Sequence, residues 1–402
     1  MHILLSLAGI LALLVCAYAL SESRRDINWR TVVGAFSLQA GFAALVLYFP
    51  LGQSVLGSLS NGISSVLSFA DAGIGFVFGD LANGNFIFAI RVLPLIIFLS
   101  AIISLLYYLG VMQWLIKVIG GAIQRLLGTS QVESLAATSN IFLSMSEASL
   151  VIRPFLKNMT RSELFAVMVG GMASVAGSVL GGYAALGVEL KYLIAASFMA
   201  APAGLLMAKM MVPEREQSRV NDNIDLEKSE DANVVDALAT GAMNGVKVAV
   251  AVGTMLIAFV SVIAMLNAGF ETVGAWFGFD GLTLQTIFGY LFYPLAVVVG
   301  VPFDEALTAA SLIGQKTILN EFVAFLDFVN VKEAMSAHTQ IIVTFALCGF
   351  ANIGSIAIQL GSIGAMAPER RQDVAKLGFR AVAAATLANL MSAALAGLFI
   401  AL

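Results

Sequence analysis

Ser139-Asn140-Ile141-Phe142-Leu143-Ser144-Met145-Ser146-Glu147-Ala148 and Ile318-Leu319-Asn320-Glu321-Phe322-Val323-Ala324 each place one carboxylate in an otherwise apolar run. The chain around them is built for lipid: of 402 residues, 59% are hydrophobic and 11% charged, against about 25% charged in soluble domains. Mean hydropathy is +0.93. An ionisable group at bilayer depth costs about 3 kcal/mol, so such groups face a polar cavity, a partner or a substrate path. The two stretches therefore read as the polar centre of a membrane protein that carries a solute.

Working outward, eight runs approach the ~20 apolar residues that cross a bilayer as a helix: 3–20, 31–49, 86–109, 162–186, 191–211, 248–268, 340–364 and 377–402. The net charge is −4 and no basic patch is interleaved with aromatics, which argues against a nucleic-acid partner. Cys16, Cys348, His2 and His338 are too few and too scattered for zinc or haem, and nothing calls for an organic cofactor. Neither clustered aspartates nor a Ser/His set is present, so an intramembrane enzyme lacks its constellation. A channel would need a symmetric filter or a charged ring.

The first 20 residues, with Ala17-Tyr18-Ala19, mimic a signal peptide, but the positive charges (Arg24, Arg25, Arg30) follow the apolar run. That order predicts a retained first helix with its N-terminus outside. Two more basic clusters, Arg153/Lys157/Arg161 and Arg370/Arg371/Lys376/Arg380, belong on the same inner side, and the polar stretch 213–236 reads as a cytoplasmic linker. Parity holds only if 131–157 and 303–330 each enter and leave by one face, as re-entrant hairpins with Ser144, Ser146 and Asn320 at their turns. Such backbone is tolerated where it lines protein or a polar cavity. Each hairpin precedes a long apolar helix interrupted by small and polar residues: Met172-Ala173-Ser174-Val175-Ala176-Gly177-Ser178, and Gly349-Phe350-Ala351-Asn352-Ile353-Gly354-Ser355. The expectation is an all-α polytopic protein: eight spans, two hairpins in an inverted repeat, and interfacial helices near 51–83, 111–128 and 282–300. The bland alternative pairs Glu147 and Glu321 structurally with Lys316 or Arg153, and makes Asn140 a cap of the hairpin turn.

These segments resemble the concentrative nucleoside transporters over essentially the whole chain. The first hairpin motif of that family, N-x-F-x-G-Q-T/S-E-A-P followed by R-P-Y/F, is matched by Asn140 through Ser149 and by Arg153-Pro154-Phe155. Its N-E-F-V is Asn320-Glu321-Phe322-Val323, and its C-G-F-A-N-x-x-S-I is Cys348 through Asn352 with Ser355-Ile356. Ala72-Gly73, Phe76-Val77-Phe78-Gly79 and Ala173 through Ser178 are also family-like.

The resemblance implies that Glu321, Asn352 and Ser355 bind ribose, while Met145, Ser146 and Glu147 face the base with Val179 and Phe350 as its apolar wall. It implies Na⁺ as coupling ion, at Asn140, Leu143, Ser174 and Val175, the amide of Asn140 favouring Na⁺ over H⁺. It also implies a homotrimer in a bacterial inner membrane with periplasmic termini, working by an elevator-type step. Residues 1–110 would hold three scaffold helices, and 243–270 a fourth beyond the linker at 212–242. Residues 111–211 and 271–402 would form the two halves of a moving transport domain. One departure stands out: the Gly-Gln of the family is Ser144-Met145 here, and methionine offers a base edge neither a donor nor a good acceptor. Base preference therefore stays open. So do a proton-coupled nucleoside symporter and a carrier of another small ribosylated or polar solute.

Overall fold

The structure is a computed structural model describing residues 2–218, 229–279 and 281–402, and every regular element among them is helical. Local capping chemistry sets where the functional elements start. Ser130, Ser144 and Thr160 each precede a helix and each has a glutamate three residues on, forming three reciprocal capping boxes. They open helices Gln131–Phe142, Met145–Val151 and Arg161–Ala173. The first two form a helix–break–helix unit, broken at Leu143, whose extended backbone (ψ 157°) stops the helix before Ser144 restarts it. A second unit joins Ala306–Ile318 to Glu321–Val331, where the Asn320 side chain accepts from the Val323 N–H at 2.9 Å.

Each unit is followed by a broken helix, as the small-residue interruptions predict. Arg161–Ala173 stops at Ser174 and resumes as Gly177–Ala185; Ala337–Leu347 stops at Cys348 and resumes as Gly354–Met366. The two breaks meet, the Phe350 N–H donating to the Ser174 carbonyl at 3.1 Å. Asn389, on helix Arg371–Ala401, donates to the carbonyls of Ala173 (2.6 Å) and Cys348 (3.2 Å), satisfying backbone that helix termination leaves open. Gly349 has to be glycine, because a Cβ there would lie within 2.7 Å of the Asn389 amide and the Ala173 carbonyl oxygen.

Around this centre the helices sort into two packing groups. His2–Ala19 and Trp29–Leu47 lie against Leu190–Met211 and Arg371–Ala401, in the bundle that holds the breaks. Leu93–Tyr108 packs chiefly along Val234–Trp276, with Gly241 and Gly245 against the backbone of Ser100 and Ile97, and its Leu95 and Leu99 also meet Gly181 of the central bundle. Val234–Trp276 has 43 residues, about 64 Å of helix, and starts well before the expected 243–270. Hydropathy marks only its apolar middle. The helix runs on toward its N-terminus because Asn233 caps it and Asp236, Asn244 and Lys247 are tolerated on an exposed helix. Residues 219–228 of the expected linker lie outside the described residues.

Among the described residues, seven helical stretches are long and apolar enough to cross a membrane. Six of the eight expected runs fall on them. Pro50–Ala82, expected at the interface, qualifies by length and apolarity; Ile3–Ala19 falls just short, and the run at 340–364 is the broken pair. The three basic clusters do come together at one end. Glu22 pairs with Arg161 and Arg380, both at 2.9 Å, and Arg370 donates to the Met159 carbonyl at 2.6 Å.

Candidate substrate and ion site

Glu321 is the first residue of its helix at the tip of the second unit and only 4% exposed. Its carboxylate is held on both oxygens: Tyr183 Oη donates to Oε1 at 3.0 Å, and Asn352 Nδ2 donates to Oε2 at 3.3 Å. Asn352 is oriented in turn by Ser355, whose N–H donates to Asn352 Oδ1 at 2.9 Å. The Ser355 hydroxyl also donates to the Phe350 carbonyl, outside the pattern of a serine bonded back within its own helix. Glu321, Asn352, Ser355 and Phe350 are thus brought together, across the tip of the second unit and the break of the helix after it. A carboxylate fixed this way keeps lone pairs for two adjacent hydroxyls, and charge-assisted bonds are about twice as strong as neutral ones.

The first unit contributes differently. Glu147 closes the capping box at its tip, Oε2 accepting from the Ser144 N–H at 2.8 Å, and with Ser146 it remains half-buried. Neither Glu147 nor Glu321 forms an ion pair with Lys316 or Arg153 among the described residues, so the bland pairing does not occur. Met145 is buried and packs at Gly171. Val179 is buried one turn before Tyr183, on the helix face that leads to Glu321.

Asn140 does not cap the turn; Ser144 does. Its Nδ2 donates to the Ala136 carbonyl at 2.9 Å and lies against Gly170, while its buried Oδ1 accepts no hydrogen bond from the described residues. The neighbouring Phe142 carbonyl abuts Gly177, where a Cβ would come within 2.7 Å, so the break at Leu143 faces the break at Ser174–Val175. Ser174 and Val175 are buried there, as is Leu143. A free carboxamide oxygen beside interrupted backbone supplies the hard oxygen ligands that a small alkali cation requires.

Tyr183 and the actual partner of Lys316 escape a reading of the sequence. Tyr183 is fully buried, its ring packed 4.7 Å from Phe322 and 4.5 Å from Phe325, and it is the main donor to Glu321. The available signal was a tyrosine in an apolar helix, since a buried phenol seeks a partner. Lys316, 1% exposed, donates to Asn389 Oδ1 at 2.7 Å and so joins the second unit to the node that ties both breaks.

Comparison with known proteins identifies the family. Family models match in chain order: Na⁺ dependent nucleoside transporter N-terminus over residues 8–81, nucleoside recognition over 89–189, and Na⁺ dependent nucleoside transporter C-terminus over 192–397. The chain is 54% identical to a Haemophilus influenzae protein named an uncharacterized transporter, covering 100% of this chain and 99% of that one. It is 46% identical to the nucleoside permease NupC of Helicobacter pylori, covering 99% and 98%. Among solved structures, CNTnw in an inward-facing substrate-bound state matches at 52% identity and TM-score 0.96, covering 100% of this chain and 98% of that one.

Proposed function

For a chain that belongs to the Na⁺-dependent, concentrative nucleoside transporter family, we propose secondary active symport: inward movement of Na⁺ drives uptake of a nucleoside. The observation that carries this reading is Glu321, a buried carboxylate whose two oxygens are pre-oriented by Tyr183 and Asn352. The adjacent ribose hydroxyls donate to it, Asn352 and Ser355 complete the sugar contacts, and Val179 and Phe350 wall the base. Ser146 and Glu147, half-exposed at the first tip, and Met145 behind them meet the base edge. Na⁺ is taken up by Asn140 Oδ1 with main-chain oxygens of Leu143 and Val175 and the Ser174 hydroxyl. Binding of the cation ties the first tip to the break that follows it, so a filled ion site favours a closed substrate site. Each cation moving inward gains about 2.3 kcal/mol per 100 mV, enough to concentrate substrate before any Na⁺ gradient is counted.

The two helix–break–helix units act as re-entrant hairpins in a protein of eight spans. The division into two packing groups supports an elevator-type step, with Leu93–Tyr108 and Val234–Trp276 as the fixed frame and both hairpins in the moving bundle. The first two spans, expected in the scaffold, pack on that bundle and travel with it in this reading. The assembly is a homotrimer in a bacterial inner membrane, termini on the periplasmic side and basic clusters inside.

The test is labelled uridine uptake into proteoliposomes under an imposed Na⁺ gradient and then under a pH gradient. Accumulation driven by Na⁺ alone is expected. Accumulation driven only by protons would remove the sodium site and keep the transporter. Uptake under neither gradient would shift the reading to another small polar solute.

A further inference from the structure

Met145 leaves the base region without a side-chain amide, yet one lies beside it. A Cβ on Gly171 would sit 2.9 Å from Met145 Cβ and 3.2 Å from Gln359 Nε2, so the missing side chain at 171 is what lets Met145 and Gln359 occupy one notch. Gln359 lies on helix Gly354–Met366, four residues after Ser355 and on the same helix face. Its Nε2 donates to the Met168 carbonyl at 2.8 Å, which fixes the carboxamide: the reverse orientation would set oxygen against oxygen. Gln359 is 1% exposed, and its Oε1 accepts no hydrogen bond from the described residues. Buried amide oxygens are ordinarily paired. This one is fixed, acceptor-only, beside Met145 and one turn beyond Ser355.

We propose that Gln359 is a specificity-determining residue: its Oε1 supplies the acceptor that Met145 lacks and reads an N–H of the nucleobase, either a ring imide or an exocyclic amino group. The proposal rests on the nucleoside reading above. It makes bases with an accessible N–H the preferred substrates and penalises N-alkylated ones. Seen this way, replacing the amide at 145 by a thioether moves base reading from the first hairpin to the second broken helix.

The experiment compares uridine with 3-methyluridine, as competing substrates for uptake into proteoliposomes under an inward Na⁺ gradient, for wild type and for Gln359→Met, which keeps side-chain length and removes the amide. Wild type is expected to favour uridine by about tenfold, the worth of one hydrogen bond. In Gln359→Met that ratio is expected to fall below about threefold through weaker uridine binding, and Met145→Gln added to it should restore part of the preference. If Gln359→Met does not fold, Gln359→Asn, which withdraws the oxygen by one methylene, is expected to lower the ratio too. Uridine uptake with an unchanged ratio in the folded variant overturns the role of Gln359 alone. Failure of wild type to take up any nucleoside overturns the role together with the nucleoside reading.

Discussion

Tyr183 donates its phenol hydrogen to Oε1 of Glu321 at 3.0 Å, joining the broken helix after the first helix–break–helix unit to the tip of the second across 138 residues of sequence. The two halves of the chain are thereby coupled at the carboxylate that the proposed function gives to ribose. A buried carboxylate is tolerated only with such donors, because desolvating a charge without partners costs several kcal/mol.

Removing that donor should therefore be felt at the substrate. Tyr183→Phe keeps the ring packing on Phe322 and Phe325 and deletes one bond to a charged group, worth about 1.5–3 kcal/mol. The expected outcome is a KM for uridine raised about tenfold or more with folded protein retained. Glu321→Gln should abolish measurable uptake. Normal uptake kinetics in Tyr183→Phe would mean that Glu321 does not need this donor to bind ribose.

At the proposed ion site, Asn140→Ala and Asn140→Ser both withdraw the unpaired Oδ1. The Na⁺ activation curve for uptake is expected to shift to about tenfold higher concentration in each, the effect of losing one good oxygen ligand. Overlapping curves for wild type and both variants would take Asn140 out of the site.

The Lys316–Asn389 node makes a prediction about stability. Asn389→Ala strands a buried ammonium and two backbone carbonyls, so it should cost about 3 kcal/mol. Adding Lys316→Met removes the stranded charge and should recover part of that loss. Thermal unfolding in detergent reads both. A double variant less stable than Asn389→Ala by the full effect of Lys316→Met would show that the two residues act independently.

At the basic end, the guanidinium of Arg161 donates to Glu22 and holds its carboxyl below the ordinary 4.5, against the upward push of partial burial, with the charges of Arg161, Arg380 and Arg215 adding to the lowering. A depressed folded value means stability that is fully present above the unfolded value and lost as pH falls through the folded one. Glu22→Gln is expected to cost about 1 kcal/mol near neutral pH, since the network is partly exposed. The gap in melting temperature between wild type and variant should stay constant down to about pH 5 and close below 4.5. A gap independent of pH would show that Glu22 contributes by packing alone.

Much of the centre was legible in the sequence, because its signals are local. The small-residue interruptions at 172–178 and 349–355 mark where helices stop, and the capping boxes at Ser130/Glu133, Ser144/Glu147 and Thr160/Glu163, seen only in the structure, also act over three residues. The apolar runs and the two carboxylates fixed an all-helical membrane protein with a polar midpoint, and the ordered motifs fixed the family. Tertiary structure alone decided which groups meet: Tyr183 with Glu321, Lys316 with Asn389, and Asn389 with the carbonyls of Ala173 and Cys348. It also set the full length of Val234–Trp276 and the notch that holds Met145 against Gln359. The reason is range: a cap or a break is settled within one helical turn, whereas these pairs lie 41 to 216 residues apart and exist only once the helices pack.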